Sequence, residues 1–241
     1  MYPKNSLWIE YAFKLVDRTE NSDFKFAVIL DKDSLIAYAP EGSRESEWTQ
    51  LAFSKCDICP LDEKKVRNCP IAYNLSGLFI AFKDVFSIEK ADITVNTIDR
   101  SYFKHDTIQQ GLRSIFGIYM AASGCPHMTV LKPMVRFHLP FASIEETVYR
   151  HASNYLLGQY YDFMDNNKGD FLFEELKKKN EAVDSVNHGI CRRIENVNEG
   201  DATKNALTIL NVAGLMVNLE LESKLDSLKY LYRVGSTSKS R

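Results

Sequence analysis

The sequence predicts an α+β protein with a small N-terminal antiparallel sheet, a cysteine-bearing middle and an α-helical C-terminal half. Three observations support this prediction. Apolar and polar residues alternate near the N-terminus, cysteines concentrate between residues 56 and 69, and apolar residues then recur at helical spacing. The chain has 241 residues, of which 45% are hydrophobic and 26% charged. A chain of this composition can bury a core of its own.

The first fifty-odd residues carry strand patterns. Residues 7–15 alternate with period two, and residues 24–30 are rich in Phe, Val and Ile. We expect two further strands at 34–39 and 48–53, after loops that contain Asp, Pro, Gly and Ser. Together these segments form a small meander, which needs a cover on one face.

Helical patterns dominate the remainder, apart from one returning strand predicted at 92–100 and an irregular stretch at 128–141. Pro70 suits the first position of a helix, and Ser143 with Glu146 forms a capping box. The domain prediction is a β-rich region at 1–104 and a helical region at 105–241, or one continuous domain. The predicted helices are 70–85, 106–122 capped by Asp106, 144–164, one from Asp170 towards 196, and one from Asp201 to about 233.

The charge balance argues against several function classes. The chain has 30 basic and 32 acidic residues, so its net charge is -2. A net charge this small produces no overall electrostatic field that would attract nucleic acid or an anionic membrane. No apolar run approaches the ~20 residues of a membrane span. The N-terminus lacks the layout of a signal peptide. We therefore expect a cytoplasmic protein that binds no membrane. Binding of nucleic acid through a zinc-ribbon-like element is a weaker hypothesis, against which the near-neutral charge argues.

The cysteines carry the most specific signal in the chain. Cys56 and Cys59 form a Cys-x-x-Cys pair, Cys69 follows ten residues later, and Cys125 lies in a Ser-Gly-Cys-Pro-His segment. Three of the five cysteines precede proline, whereas seven prolines in 241 residues predict ~0.15 such pairs by chance. Proline fixes the backbone next to a ligand, so this excess indicates cysteines held in a defined geometry.

A metal site is the leading interpretation of this pattern. Four thiolates favour structural zinc and leave no open position for catalysis. An iron–sulfur cluster needs the same four thiolates and stays an alternative. His127 is the substitute for the fourth ligand, and buried reduced thiols or a redox-active pair also stay open. The predicted ligands are Cys56, Cys59, Cys69 and Cys125, whereas Cys191 has the spacing of a core residue.

The competing hypothesis is a thiol- or iron–sulfur-dependent redox enzyme centred on Cys125, with His127 or His138 as a base. The sequence contains no P-loop, no dinucleotide fingerprint and no hydrolase or kinase signature, so no catalytic residue is assigned. His138 is interpreted as a hydrogen-bonded structural residue. The apolar stripe of the final predicted helix could form a homodimer seam or contact a protein partner.

Several motifs resemble those of an uncharacterised bacterial family of unknown function. They are Cys-Asp-Ile-Cys-Pro at 56–60, Asn-Cys-Pro-Ile-Ala at 68–72, Ser-Gly-Cys-Pro-His-Met at 123–128 and Arg-Phe-His-Leu-Pro-Phe-Ala-Ser at 136–143 followed by Glu-Glu-Thr. The likeness covers residues 48–163. It implies a bacterial source and no known activity. The residues themselves predict a cytosolic, metal-stabilised binding or regulatory module.

Overall fold

A four-stranded antiparallel sheet organises the fold, as seen in a computed structural model that describes residues 3–20, 22–195 and 225–232. The strand order is β2-β1-β3-β4, so the two N-terminal strands pair with two strands that follow the cysteine-bearing segment. Together with the helices in the C-terminal half, this sheet confirms the predicted α+β class. The strands are β1 (Ser6–Leu15), β2 (Asp23–Asp31), β3 (Lys90–Asn96) and β4 (Ser101–Thr107).

One face of the sheet is buried and the other is largely open. Alternate residues of β1 are almost inaccessible, from Leu7 to Leu15, while Lys14 on the other face is exposed. This is the alternation that the sequence predicts for a half-buried strand. The cover comes from two helices, and the helix at Ile108–Ala121 approaches so closely that a Cβ at Gly111 would collide with the ring of Phe13.

The helices begin at residues whose chemistry suits a helix N-terminus. Pro70 opens α1, and Ser143 forms the predicted capping box with Glu146 at the start of α4. Asp170 accepts hydrogen bonds from the first amides of α5, as the sequence predicts. The helices are α1 (Pro70–Ala81), α2 (Ile108–Ala121), α3 (Lys132–Arg136), α4 (Ile144–Asn166) and α5 (Glu174–Glu195), with 3-10 turns at Glu47–Thr49, Pro126–Leu131 and Leu228–Tyr232.

Two predicted strands are wrong. Residues 34–39 form only the isolated bridge between Leu30 and Ala37, because Leu35 adopts a left-handed conformation (φ 56°) that turns the chain away from the sheet. Residues 48–53 contain part of the 3-10 turn Glu47–Thr49, in which Trp48 stacks on the ring of Phe79.

Three other boundaries differ from the predictions. Strand β4 occupies residues where the sequence indicates a loop and the start of a helix, so Thr107 rather than Asp106 is the N-cap of α2. Helix α1 ends at Ala81 rather than at 85. The stretch predicted to be irregular at 128–141 contains part of a 3-10 turn and the short helix α3.

The hydrophobic core joins the two predicted regions. The boundary predicted between residues 104 and 105 falls within β4, and one cluster of buried residues contains side chains from both sides of it. Of the final helix predicted from Asp201 to about 233, only residues 225–232 are described, so most of the predicted homodimer seam lies outside the described residues. Where the structure is described, no helix combines the length and the apolar character needed to span a membrane.

Candidate functional site: the cysteine cluster

Two of the Cys-Pro pairs adopt the same local structure at the start of a helix. Cys69 is the N-cap of α1 with φ −63° and ψ 120°, and Cys125 is the N-cap of the 3-10 turn Pro126–Leu131 with φ −64° and ψ 126°. In each case the proline occupies the first helical position, where its missing N–H has no intrahelical role. The repeated motif therefore places each sulfur beside the amides of a helix N-terminus.

These helix amides act on both sulfurs. Burial raises the pKa of the Cys125 thiol to about 11, and the N–H groups of His127 and Met128 oppose that rise. Burial likewise raises the pKa of Cys69, again against two amides of its own helix. Neither sulfur forms a full capping hydrogen bond. The arrangement nevertheless favours a thiolate at each position once an ion compensates for the desolvation.

The Ser-Gly-Cys segment has a local structural explanation. The Ser123 hydroxyl donates to the carbonyl of Met120 at the end of α2 and accepts from the N–H of Cys125 at 3.1 Å. Between them Gly124 has φ +87°, a conformation that side chains disfavour. The motif is therefore a tight turn that ends α2 and brings Cys125 to the core.

The Cys-x-x-Cys segment is a turn that several long-range contacts hold in place. The N–H of Cys59 donates to the carbonyl of Cys56 at 2.9 Å. His127 Nε2 lies 2.9 Å from the carbonyl oxygen of Ile58, which ties the turn to the segment that carries Cys125. On the other side Cys56 packs against α5 at Gly189, where a Cβ would collide with its sulfur. Three separate parts of the chain thus meet around this turn.

Electrostatic interactions connect the four predicted ligands. Burial raises the pKa of Cys56, and the thiols of Cys69 and Cys59 raise it further. The same two thiols also raise the pKa of Cys125. Within the described ranges, no three Cys, His, Asp or Glu side chains form a ready-made metal-binding group. An ion would therefore have to draw neighbouring thiols together.

A buried arginine stands beside the cluster, in a role that the sequence does not predict. Arg193 of α5 is 1% exposed, and its guanidinium donates to the carbonyls of Trp48 and Gln50 at 2.6 Å each. Its Nε is buried and has no hydrogen-bond partner in the part of the chain that the structure describes. Burial lowers the pKa of Arg193, and the ionisable groups that oppose this shift are the thiols of Cys69, Cys56 and Cys59. The sequence feature that could have indicated this role is a charged residue within the apolar stripe of a helix.

Arg193 also organises the chain next to Cys69. The segment whose carbonyls it binds is also held by two backbone hydrogen bonds. The N–H of Leu51 donates to the carbonyl of Arg67, and the N–H of Cys69 donates to the carbonyl of Thr49. These contacts explain why residues 48–51 do not form the predicted strand. Backbone pairing here is limited to the isolated bridge between Gln50 and Asn68, and the Arg193 side chain binds the carbonyls that do not take part in it.

The imidazole rings of the two candidate bases form their described hydrogen bonds with residues other than Cys125. His127 is engaged with Ile58, and His138 Nε2 lies 2.6 Å from the hydroxyl of Tyr11. His138 is thus the hydrogen-bonded structural residue that the sequence predicts. With a pKa of about 11, the Cys125 thiol stays protonated at neutral pH, which gives no support to an activated nucleophile. Cys191 is partly buried and packs at the edge of the core.

These features define an α+β protein in which Cys56 packs against α5, Cys69 and Cys125 stand at helix N-termini, and a buried arginine of α5 interacts with the cysteine thiols. The chain belongs to the family described as Domain of unknown function (DUF6901), which matches residues 9–233. This assignment agrees with the uncharacterised family that the motifs resemble. No curated protein and no solved structure shows significant similarity to the chain.

Proposed function

We propose that the protein is a non-enzymatic binding or regulatory module whose core is pinned by one zinc ion. The predicted ligands are Cys56, Cys59, Cys69 and Cys125. The observation that carries this proposal is Arg193, a buried guanidinium whose ionisable neighbours are thiols. A buried cation needs a compensating anion. A zinc ion with four thiolates has a net charge of about −2, so the cluster and the arginine would stabilise each other.

The surroundings of the thiols fit a thiolate-bound ion. The helix N-termini at Cys69 and Cys125 provide amides that can hydrogen-bond to sulfur, as found around metal-bound cysteines. His127 Nε2–H donates to the carbonyl of Ile58 and so ties the turn to the segment that carries Cys125. We favour Cys125 over His127 as the fourth ligand because the Cys125 thiol interacts electrostatically with the thiols of Cys69 and Cys59.

A structural ion has a clear physical role at this position. It would join the turn at 56–59, the start of α1 and the segment after α2, which belong to three separate parts of the sequence. Closing such long loops adds stability through the unfolded state. Four protein ligands leave no open coordination position. The proposed site therefore stabilises a binding surface, and the proposed location is a reducing bacterial cytoplasm, where all five cysteines stay free.

Metal analysis of anaerobically purified protein tests this proposal directly. We expect about one zinc per chain, with no visible colour. Changing any one of the four predicted ligands to serine should release the ion and lower the melting temperature. Cys191→Ser is the matched control and should keep both properties, and His127→Gln should keep the ion.

Other results would overturn the proposal. Iron with inorganic sulfide and broad visible absorption would assign an iron–sulfur cluster and support the redox alternative. Intact protein without metal, together with ligand-to-serine variants as stable as Cys191→Ser, would leave only buried thiols. Rapid alkylation of Cys125 in the folded wild-type protein would favour a thiol-dependent enzyme.

A further inference from the structure

A cavity of about 480 Å³ lies between the helices of the C-terminal half. Its walls come from α2, from the segment that contains α3, and from facing sides of α4 and α5. None of the five cysteines lines it, so it is distinct from the proposed metal site. Its volume falls in the range of about 300–1,000 Å³ that is typical of small-molecule sites.

Most of the cavity wall is apolar and adaptable. Three of the chain's six methionines contribute to it, Met120, Met128 and Met134, together with Leu131, Val135 and Phe141. Methionine side chains are flexible and polarisable, so they fit irregular apolar groups that a rigid wall would exclude. This part of the cavity suits an alkyl or aryl body.

The charged residues of the lining are three cations, Lys104, Arg113 and Arg150, and one carboxylate, Asp184, which takes part in interactions of its own. Arg113 on α2 is partly buried and forms no hydrogen bond or ion pair with any described residue, and burial lowers its pKa. Arg150 on α4 donates to the carbonyls of Met134 and Phe137, which do not neutralise its charge. Lys104 is paired with Asp106 at 2.9 Å. Arg113 is thus positioned to bind an anion that enters the cavity.

Two buried polar side chains in the lining have unused hydrogen-bonding atoms. His151 Nε2 lies 2.8 Å from Asn180 Oδ1, which requires the histidine proton to be on Nε2. His151 is 3% and Asn180 5% exposed. His151 Nδ1 and Asn180 Nδ2 are both buried and have no hydrogen-bond partner among the described residues. Such groups are costly unless a water or a ligand satisfies them, so the pair offers an acceptor and donors to a bound molecule.

We infer that the cavity binds a small carboxylic acid with an apolar body. Arg113 pairs with the carboxylate, the methionine wall holds the body, and the His151–Asn180 pair receives a polar substituent or an ordered water. A monoanion fits better than a phosphate, because Arg150 already donates to two carbonyls and Lys104 is paired with Asp106, which leaves Arg113 to bind the anion. This inference supplies the ligand class for the binding module proposed above, and it does not require the metal.

The test is a calorimetric titration of the full-length protein, shown by native mass spectrometry to be free of bound small molecules. The probes are decanoate below its micelle concentration, decanol as the uncharged analogue, and inorganic phosphate as an anion without an apolar body. We expect decanoate to bind at least 10-fold more tightly than decanol, and phosphate not to bind. Equal affinities for decanoate and decanol, or the absence of decanoate binding, would overturn the inference.

A matched pair of variants locates the site. Arg113→Gln should weaken decanoate binding at least 10-fold and leave decanol binding unchanged. Arg136→Gln, an exposed residue of α3 outside the lining, should bind decanoate as the wild type does. Thermal unfolding without ligand shows whether each variant is folded. Metal content measured on the same samples separates failure of this inference from failure of the zinc proposal. Loss of decanoate binding in both variants, or in neither, would exclude Arg113 as the anion-binding residue.

Discussion

The sulfur of Cys56 lies against the backbone of Gly189 in α5, at a point where neither segment has room for another carbon atom. A Cβ at Gly189 would collide with this sulfur and lie 3.3 Å from the Cβ of Cys56. The Cys-x-x-Cys turn and the fifth helix are therefore matched to each other in shape. A change on α5 should disturb the cysteine cluster even though it touches no predicted ligand.

Gly189→Ala tests this relationship. A Gly→Ala change inside a helix normally stabilises a protein by roughly 0.5–1 kcal/mol. Here the added methyl displaces Cys56, so we expect the free energy of unfolding to fall by about 1–3 kcal/mol, as in other overpacked sites. Metal content should fall with it. Denaturant unfolding and metal analysis of the same sample measure both effects.

Gly158→Ala is the matched control for that change. Gly158 lies inside α4, and a Cβ added there would meet nothing within 4 Å. This variant should gain the ordinary helix-propensity stabilisation and keep its metal. If Gly189→Ala were as stable as Gly158→Ala, the close fit of Cys56 against α5 would be refuted.

Arg193→Met should be among the most destabilising single changes in the described part of the chain. It removes the donors for the carbonyls of Trp48, a buried residue, and Gln50, an exposed one. Leaving a buried carbonyl unpaired costs about 1–3 kcal/mol, so we expect a loss of about 2 kcal/mol or more in urea unfolding. Arg192→Gln is the control, because Arg192 is exposed and its ion pair with Asp57 is long, at 3.5 Å. A change within about 0.5 kcal/mol is expected there.

Asp170→Ala should weaken the start of α5. The Asp170 carboxylate accepts from the N–H groups of Glu174 and Glu175 and from the hydroxyl of Tyr155 at 2.8 Å. Loss of an N-cap costs about 0.5–2 kcal/mol. Asp170→Asn, which keeps an acceptor, should cost less. Thermal or urea unfolding distinguishes the two variants, and equal stability of Asp170→Ala and wild type would contradict the capping role.

The parts of the fold that the sequence predicts well are those set by local chemistry. The buried alternation of β1 and the capping box at Ser143 depend on residues close together in the chain. Strand β4 is not predicted because it lies at the edge of the sheet and is mostly exposed, so its sequence Ser-Tyr-Phe-Lys-His-Asp-Thr lacks apolar alternation. Edge strands carry little of the burial pattern on which the prediction depends.

The candidate sites show the same division between local and distant signals. Spacing and the excess of Cys-Pro pairs are enough to select the four cysteines as one group. The role of Arg193 could not be predicted, because its partners at 48–51 are more than 140 residues away and are backbone carbonyls, which leave no trace in side-chain pattern. The cavity could not be predicted from the sequence for a similar reason. Arg113, His151 and Asn180 belong to three different helices, and each looks ordinary in its own helix.

Stability should fall in mild acid because of His138. Its Nε2 lies 2.6 Å from the hydroxyl of Tyr11, and protein surrounds the ring although part of its surface opens to the cavity. Burial lowers the pKa of His138 from 6.5 to about 3, and the charge of Arg150 adds to this shift. Between pH 6.5 and about pH 3, His138 is therefore protonated in the unfolded state and neutral in the folded state.

The sign of the effect follows from this difference. The contribution of neutral His138 to the free energy of unfolding is fully present above pH 6.5. It is lost as the pH falls towards 3, by roughly 1.4 kcal/mol per pH unit, which amounts to about 2 kcal/mol at pH 5. Buried His151, whose pKa is also lowered, acts in the same direction. Urea unfolding of His138→Asn between pH 7 and 5 should show a shallower slope than wild type, even if its stability at pH 7 is lower. His188→Gln, a change at an exposed position of α5, should keep the wild-type slope, and equal slopes for all three proteins would show that His138 is not the group responsible.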